Sequence, residues 1–151
     1  MAMTMSGEFV LPADKSTVWA KLNDAETLKA SIPGCESLEK LSDTEMQAVV
    51  KVKIGPVSAR FKGKVNLTDI EAPSSYRISG QGDGGIAGFA KGGANVKLDE
   101  ADGGGTKLSY NVDAQIGGKI AQLGSRLIDS TAKKLAEQFF ANFAGALGGS
   151  A

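Results

Sequence analysis

The stretch Val57-Ser58-Ala59-Arg60-Phe61-Lys62-Gly63-Lys64-Val65-Asn66-Leu67-Thr68 decides the fold. Val57, Ala59, Phe61, Gly63, Val65 and Leu67 alternate with Ser58, Arg60, Lys62, Lys64, Asn66 and Thr68. A period of two sends one set to a dry face and the other to a wet one. Upstream, across the Gly55-Pro56 turn, Met46, Ala48, Val50, Val52 and Ile54 alternate with Gln47, Lys51 and Lys53. Two antiparallel strands, wet on one face only, are the expected outcome. Downstream, Ala72-Pro73-Ser74-Ser75 marks a turn, and Tyr76, Ile78 and Gly80 face inward from the next strand. Residues 95–100 and 106–116 form a further hairpin across Asp102-Gly103-Gly104-Gly105. Its second strand turns Leu108, Tyr110, Val112, Ala114 and Ile116 inward.

On either side of this block the apolar period shifts to that of a helix. A short strand at residues 8–11 is broken by Pro12, after which Asp14 can cap a helix that aligns Val18, Trp19 and Leu22. Asp24 can cap a second short helix carrying Leu28 and Ile32, ended by Pro33-Gly34. After Gly117-Gly118, the positions Ile120, Leu123, Leu127, Leu135, Phe139 and Phe143 form one apolar stripe. One long amphipathic helix ending near Gly145 is expected there. Phe140 lies at the edge of the stripe and is expected to be half exposed. The predicted class is α+β, an antiparallel sheet of about seven strands with the long helix on one face. A sheet that wide curls under its own twist, so the helix can lie in its concave side. Residues 1–147 are expected to form one domain, with a flexible tail at 148–151.

Composition narrows the chemistry. Lys and Arg total 17, as do Asp and Glu, so there is no basic surplus of the kind that nucleic-acid binding requires. Histidine is absent, which removes the commonest general base, the Ser-His and Cys-His nucleophile pairs and the commonest zinc ligand. The single cysteine, Cys35, cannot form an internal disulfide, and residues 1–6 lack a basic segment followed by an apolar run. A cytoplasmic protein is expected.

Several inward positions at mid-strand are small: Ala48, Ala59, Gly63, Gly80, Ala94 and Ala114. If the sheet curls around the helix, they leave room for a ligand. If the helix sits closer, they leave none. Strand parity and the helical stripe suggest Trp19, Phe61, Phe89, Tyr110, Val112, Leu123, Leu127 and Phe139 as cavity walls. Tyr110 is the candidate hydrogen-bond donor to a ligand carbonyl. No catalytic or metal-binding set emerges.

Other motifs have bland readings beside the sharp ones. Gly80-Gln81-Gly82-Asp83-Gly84-Gly85 matches G-x-G-x-x-G, but Gly88, Gly92 and Gly93 follow where a dinucleotide site needs a helix. The glycine-rich segment 82–94 is either a mobile gate or a strongly bent strand connection. Asp99, Glu100 and Asp102 form an acidic corner of the kind usually solvated at a turn. Lys51, Lys53, Arg60, Lys62 and Lys64 share one outer face, a soluble surface or a partner-binding one.

The block Gly117-Gly118-Lys119-Ile120-Ala121-Gln122-Leu123-Gly124-Ser125-Arg126-Leu127-Ile128, continuing to Lys134-Leu135-Ala136-Glu137-Gln138-Phe139-Phe140, resembles the CoxG family of carbon monoxide dehydrogenase subunits. So do Ile32-Pro33-Gly34-Cys35, Lys53-Ile54-Gly55-Pro56, Gly88-Phe89-Ala90 and Thr106-Lys107-Leu108-Ser109-Tyr110. The resemblance implies a START-like, helix-grip fold of the SRPBCC superfamily, related to the birch pollen allergen. It also implies a non-catalytic accessory protein holding an apolar molecule, a quinone or lipid, with no cofactor of its own. Its implied partner is a molybdenum CO dehydrogenase-type oxidoreductase. The implied setting is peripheral contact with the inner face of the plasma membrane, for enzyme recruitment or quinone exchange. The rival reading is an assembly or interaction protein that acts through its surface.

Overall fold

A computed structural model describes residues 1–149. The chain runs β1 (Ala2–Leu11), α1 (Lys15–Leu22), α2 (Ala25–Ser31), β2 (Cys35–Lys40), β3 (Glu45–Ile54), β4 (Val57–Glu71), β5 (Ser75–Asp83), β6 (Phe89–Glu100), β7 (Thr106–Gly117) and α3 (Ser125–Ala144). The strands form one seven-stranded sheet in the order β1-β7-β6-β5-β4-β3-β2, every pairing antiparallel. The α+β class and the strand number are those expected. α1 and α2 begin where the acidic caps lie: Asp14 Oδ1 accepts from the Thr17 amide at 3.2 Å and Asp24 Oδ2 from the Thr27 amide at 3.1 Å. Each satisfies one of the amides that a helix start leaves unpaired.

Four boundaries differ from the sequence reading, one of them the start of β6, which lies at Phe89 and not at residue 95. β1 is not a short strand at 8–11 but pairs with β7 from Ala2 opposite Gln115 to Leu11 opposite Thr106. Its Ala, Met and Gly residues are weak strand formers, and the full-length ladder with β7 supplies what propensity does not. β2 has no alternating pattern to announce it. It is an edge strand with a register shift between Cys35 and Ser37, held by β3 on one side only. The long helix does not begin after Gly118. Residues Lys119–Leu123 form a 3-10 turn, and Gly124, at φ +94°, breaks it from α3. That backbone conformation is natural only to glycine. Beyond α3, Gly145–Gly149 makes one π-helical turn. Of the tail expected at 148–151, Ser150 and Ala151 lie outside the described residues.

The apolar interior is split. One buried cluster, around Leu11, Val18, Leu98, Leu108 and Phe143, fills the end where α1, β1 and the C-terminal half of α3 meet. A second, around Ile54, Ala87, Ile116, Ile120 and Ile128, fills the other end under the start of α3. α3 is tied to α2 by Asn142, whose Nδ2 donates to the Ser31 carbonyl at 3.0 Å. Phe140 is a correction: only 8% exposed, it stacks on Phe9 at 4.3 Å between ring centroids. Phe9, on the inner side of β1, meets the helix there and so widens its buried face. Phe89 is another correction in placement. It is 42% exposed and lies against Gly117, because Ala90 and its even-numbered neighbours take the inner side of β6. Phe143→Ala should therefore cost about 3–5 kcal/mol. Phe89→Ala should cost about 1 kcal/mol or less, and urea unfolding of the two variants checks the contrast.

Candidate functional site

Cross-strand register builds the site. Ala48 stands opposite Gly63, Gly63 opposite Gly82, and Gly82 opposite Ala90. One row over, Gly80 stands opposite Gly92 and Gly92 opposite Ala114. Alternation along each strand turns all these positions to the concave face. The middle of the sheet is thus a floor of backbone with scarcely any side chain on it. α3 cannot reach that floor, because the two buried clusters prop it up at either end.

The result is a cleft of about 510 Å³ between the two clusters. Five of the six small positions picked from the sequence line it: Ala48, Gly63, Gly80, Ala94 and Ala114. Ala59 instead packs against the second cluster. The walls are Val50, Phe61, Val65, Ile78 and Val112, with Phe139 descending from α3. Leu28 of α2 and Ile32 just beyond its end, with Leu38 and Met46, complete the rim. Gln81, Lys91 and Asp113 contribute to the floor, but they also line a groove on the opposite face of the sheet. Strand parity sends their side chains there, where Asp113 meets Arg77 at 3.3 Å. The interior surface is accordingly almost wholly apolar.

Of the eight wall residues suggested by the sequence, Phe61, Val112 and Phe139 line the cleft. Trp19 packs edge-on against Tyr76 at 5.2 Å within the first cluster. Leu123 and Leu127 pack against the second cluster. Phe89 lies on the outer side of the sheet. Tyr110 lies beside the stacked Phe9–Phe140 pair, its ring centroid 6.4 Å from that of Phe9 and 5.6 Å from that of Phe140, and does not line the cleft. Partial burial pushes its phenol pKa up, and the Glu137 carboxylate adds to the effect. Burial alone raises that of Tyr76. The rim residues Leu28, Ile32, Leu38 and Met46 were missed, since an apolar residue at a rim reads in sequence like one in a core.

The remaining motifs settle into structural places. The G-x-G-x-x-G stretch ends β5 and enters a three-residue 3-10 turn, Gly85–Ala87, so it opens no helix on which a pyrophosphate could sit. The glycine-rich segment is the end of β5, a short 3-10 turn and the first half of β6, not a long free loop. Cys35 donates its thiol to the Ser37 carbonyl at 3.3 Å, and burial pushes the thiol pKa up, away from the reactive thiolate. Among the described residues, no three His, Cys, Asp or Glu side chains come together as a metal-holding group. Among the same residues, no helix is long and apolar enough to cross a membrane.

Known structures share this architecture. A conserved protein from Geobacillus kaustophilus superposes with a TM-score of 0.91 at 30% identity, covering 98% of this chain and 97% of that one. A START superfamily protein from Mycobacterium smegmatis gives a TM-score of 0.74 at 14% identity, covering 98% of this chain and 99% of its own. The Zhui aromatase/cyclase from Streptomyces sp. R1128 gives 0.72 at 10% identity, covering 97% and 94%. The last two likenesses establish a START-like fold and nothing finer. No curated protein sequence matches the chain. The family model for CoxG, a carbon monoxide dehydrogenase subunit, matches residues 7–148, nearly the whole length. With the helix, the curved sheet and the cleft between them in place, the chain belongs to the CoxG family of carbon monoxide dehydrogenase subunits.

Proposed function

We propose that this protein is a non-catalytic carrier that holds an apolar small molecule, a quinone or a lipid, in the cleft between sheet and α3. In this reading it serves a molybdenum CO dehydrogenase-type oxidoreductase, with peripheral membrane contact for recruitment of the enzyme or exchange of the quinone. The cleft carries the proposal. Its volume, about 510 Å³, lies within the range of small-molecule sites, roughly 300–1,000 Å³. The cleft is open to solvent, so water fills it when no ligand does, and an apolar wall gains more from an apolar occupant than from water.

Two further observations support a carrier over a catalyst. The chain has no histidine, and the strand parity of Lys91 and Asp113 takes their charges to the other face. A general acid or base must reach the reacting atom within hydrogen-bond distance. The family name supports the partner, the apolar interior supports an apolar ligand, and the quinone is what the family resemblance implies.

Native mass spectrometry of the purified protein, before and after extraction with quinones and lipids, tests the ligand directly. We expect a bound species whose mass identifies its class. A protein that stays empty after incubation with both would end the carrier reading. A second test fills the cleft from its floor. Ala48→Leu combined with Ala114→Leu should lower ligand uptake by about tenfold or more without lowering stability, since the added methyl groups enter empty space. Leu127→Trp should behave oppositely. It overpacks the second cluster at a cost of about 1–3 kcal/mol while leaving the cleft lining alone, which thermal unfolding and uptake measured together would show.

A further inference from the structure

The β5–β6 connection presents an apolar residue to solvent in a way that the fold itself does not require. Ile86 is 93% exposed, and Phe89, three residues on, is 42% exposed. Scattered surface apolar residues are ordinary. This one is held out by a pinned turn. The Gly84 amide donates to the Gly88 carbonyl at 2.8 Å, and the Asp83 carboxylate accepts from the Gly85 amide at 2.8 Å. Ala87 is buried in the second cluster at 5% exposure. Gly88, at φ +124°, lies so close to Gly117 that a Cβ would collide with the Gly117 carbonyl oxygen. Every neighbour of Ile86 in the turn is anchored, and Ile86 alone points away.

Cations surround this turn although the chain has no net charge. Lys62 stands opposite Asp83, which stands opposite Phe89, so Lys62 and Phe89 share one cross-strand row. Lys91 lies two residues along β6 on the same side as Phe89, and Lys119 lies two residues beyond Gly117 in the chain. Among the described residues, none of these three lysines is in an ion pair. Of the carboxylates nearby, Glu36 is taken by Arg60 at 2.7 Å, while Asp83 accepts from the Gly85 amide and keeps its charge opposite Lys62, one acid against three lysines. Asp113, diagonal to Lys91 on the same face, is paired with Arg77 at 3.3 Å, and Asp129 lies early in α3.

We infer that the Ile86–Phe89 turn is where the protein meets an anionic lipid surface, with Ile86 entering between headgroups and Lys62, Lys91 and Lys119 facing the lipid phosphates. It rests on the reading above that the carrier works at a bilayer, but not on the identity of its ligand. The size of the patch favours lipid over protein. Two apolar side chains fall far short of the roughly 800 Å² per partner that a stable protein interface buries. A bilayer needs no matching shape: an inserted side chain and a few cations suffice for reversible binding. Each lysine near an anionic surface contributes about fivefold in affinity.

Sedimentation with vesicles of phosphatidylglycerol and phosphatidylcholine, against phosphatidylcholine alone, tests the inference on the full chain. The unaltered protein should bind the anionic vesicles and release them as salt rises. Ile86→Ser should weaken binding by about tenfold. Lys62→Glu with Lys91→Glu should weaken it further and flatten its salt dependence. Because Ile86 contacts nothing in the core, an unchanged unfolding transition would show that Ile86→Ser leaves the fold intact. Equal vesicle binding by Ile86→Ser and the unaltered protein would overturn the inference, as would no binding by the unaltered protein. A change of oligomeric state in Ile86→Ser without lipid would make the turn a contact between copies instead, and would also overturn it. Quinone uptake measured without vesicles separates the two readings. Uptake without vesicle binding removes only this inference, and vesicle binding without uptake removes only the carrier.

Discussion

A curved sheet whose centre bears almost no side chains cannot close onto the helix that lies across it. Everything else about this molecule follows from that constraint. Gly63, Gly80, Gly82 and Gly92, with Ala48, Ala90 and Ala114, occupy adjacent places on neighbouring strands. At each end larger residues fill the same space: Leu98, Leu108 and Phe143 on one side, Ile54, Ile116 and Ile128 on the other. The two packed ends carry the stability and the bare middle is left over. Native packing density elsewhere makes such a gap conspicuous, since protein interiors leave few voids larger than a water molecule.

The arrangement divides labour between the two faces of one sheet. Strand alternation places apolar atoms on the concave side and charged groups on the convex side, so the interior can be uncharged while the exterior is rich in ions. Arg77 shows how the convex face is organised: it meets Asn95 on the adjacent strand at 3.1 Å and Asp113, two strands away, at 3.3 Å. These exposed contacts add little to stability. They hold polar side chains away from a floor that is only one backbone thick where Gly80 faces Gly92. The chain belongs to a family of accessory subunits, and its cleft is apolar.

Much of this was legible in the sequence, but unevenly. The period of two in residues 57–68 gave strand, face and partner together, because side-chain direction in a strand depends only on parity. The capping aspartates Asp14 and Asp24 announced their helices by local chemistry. The small residues at mid-strand were legible as a group for the same reason. Phe89 was misplaced because a glycine-rich stretch carries no alternation from which to read parity. Tyr110 faces inward as expected, yet lies outside the cleft: its height along β7 sets it under Phe140 instead. Leu123 was lost to Gly124, whose positive φ ends a turn that the apolar stripe alone would have continued into the helix.

By itself the sequence determined what local physics can encode: the alternating strands, the helix starts, the curled α+β class, and the lack of a catalytic histidine. Only the tertiary structure decided which small residues meet across strands, how far α3 stands off the sheet, and that the space between belongs to a ligand-sized cleft. The division has a simple cause. Parity and capping depend on residues within a few positions of one another, whereas register between strands and the height of a helix are set by contacts among distant parts of the chain, and no short stretch of sequence contains them.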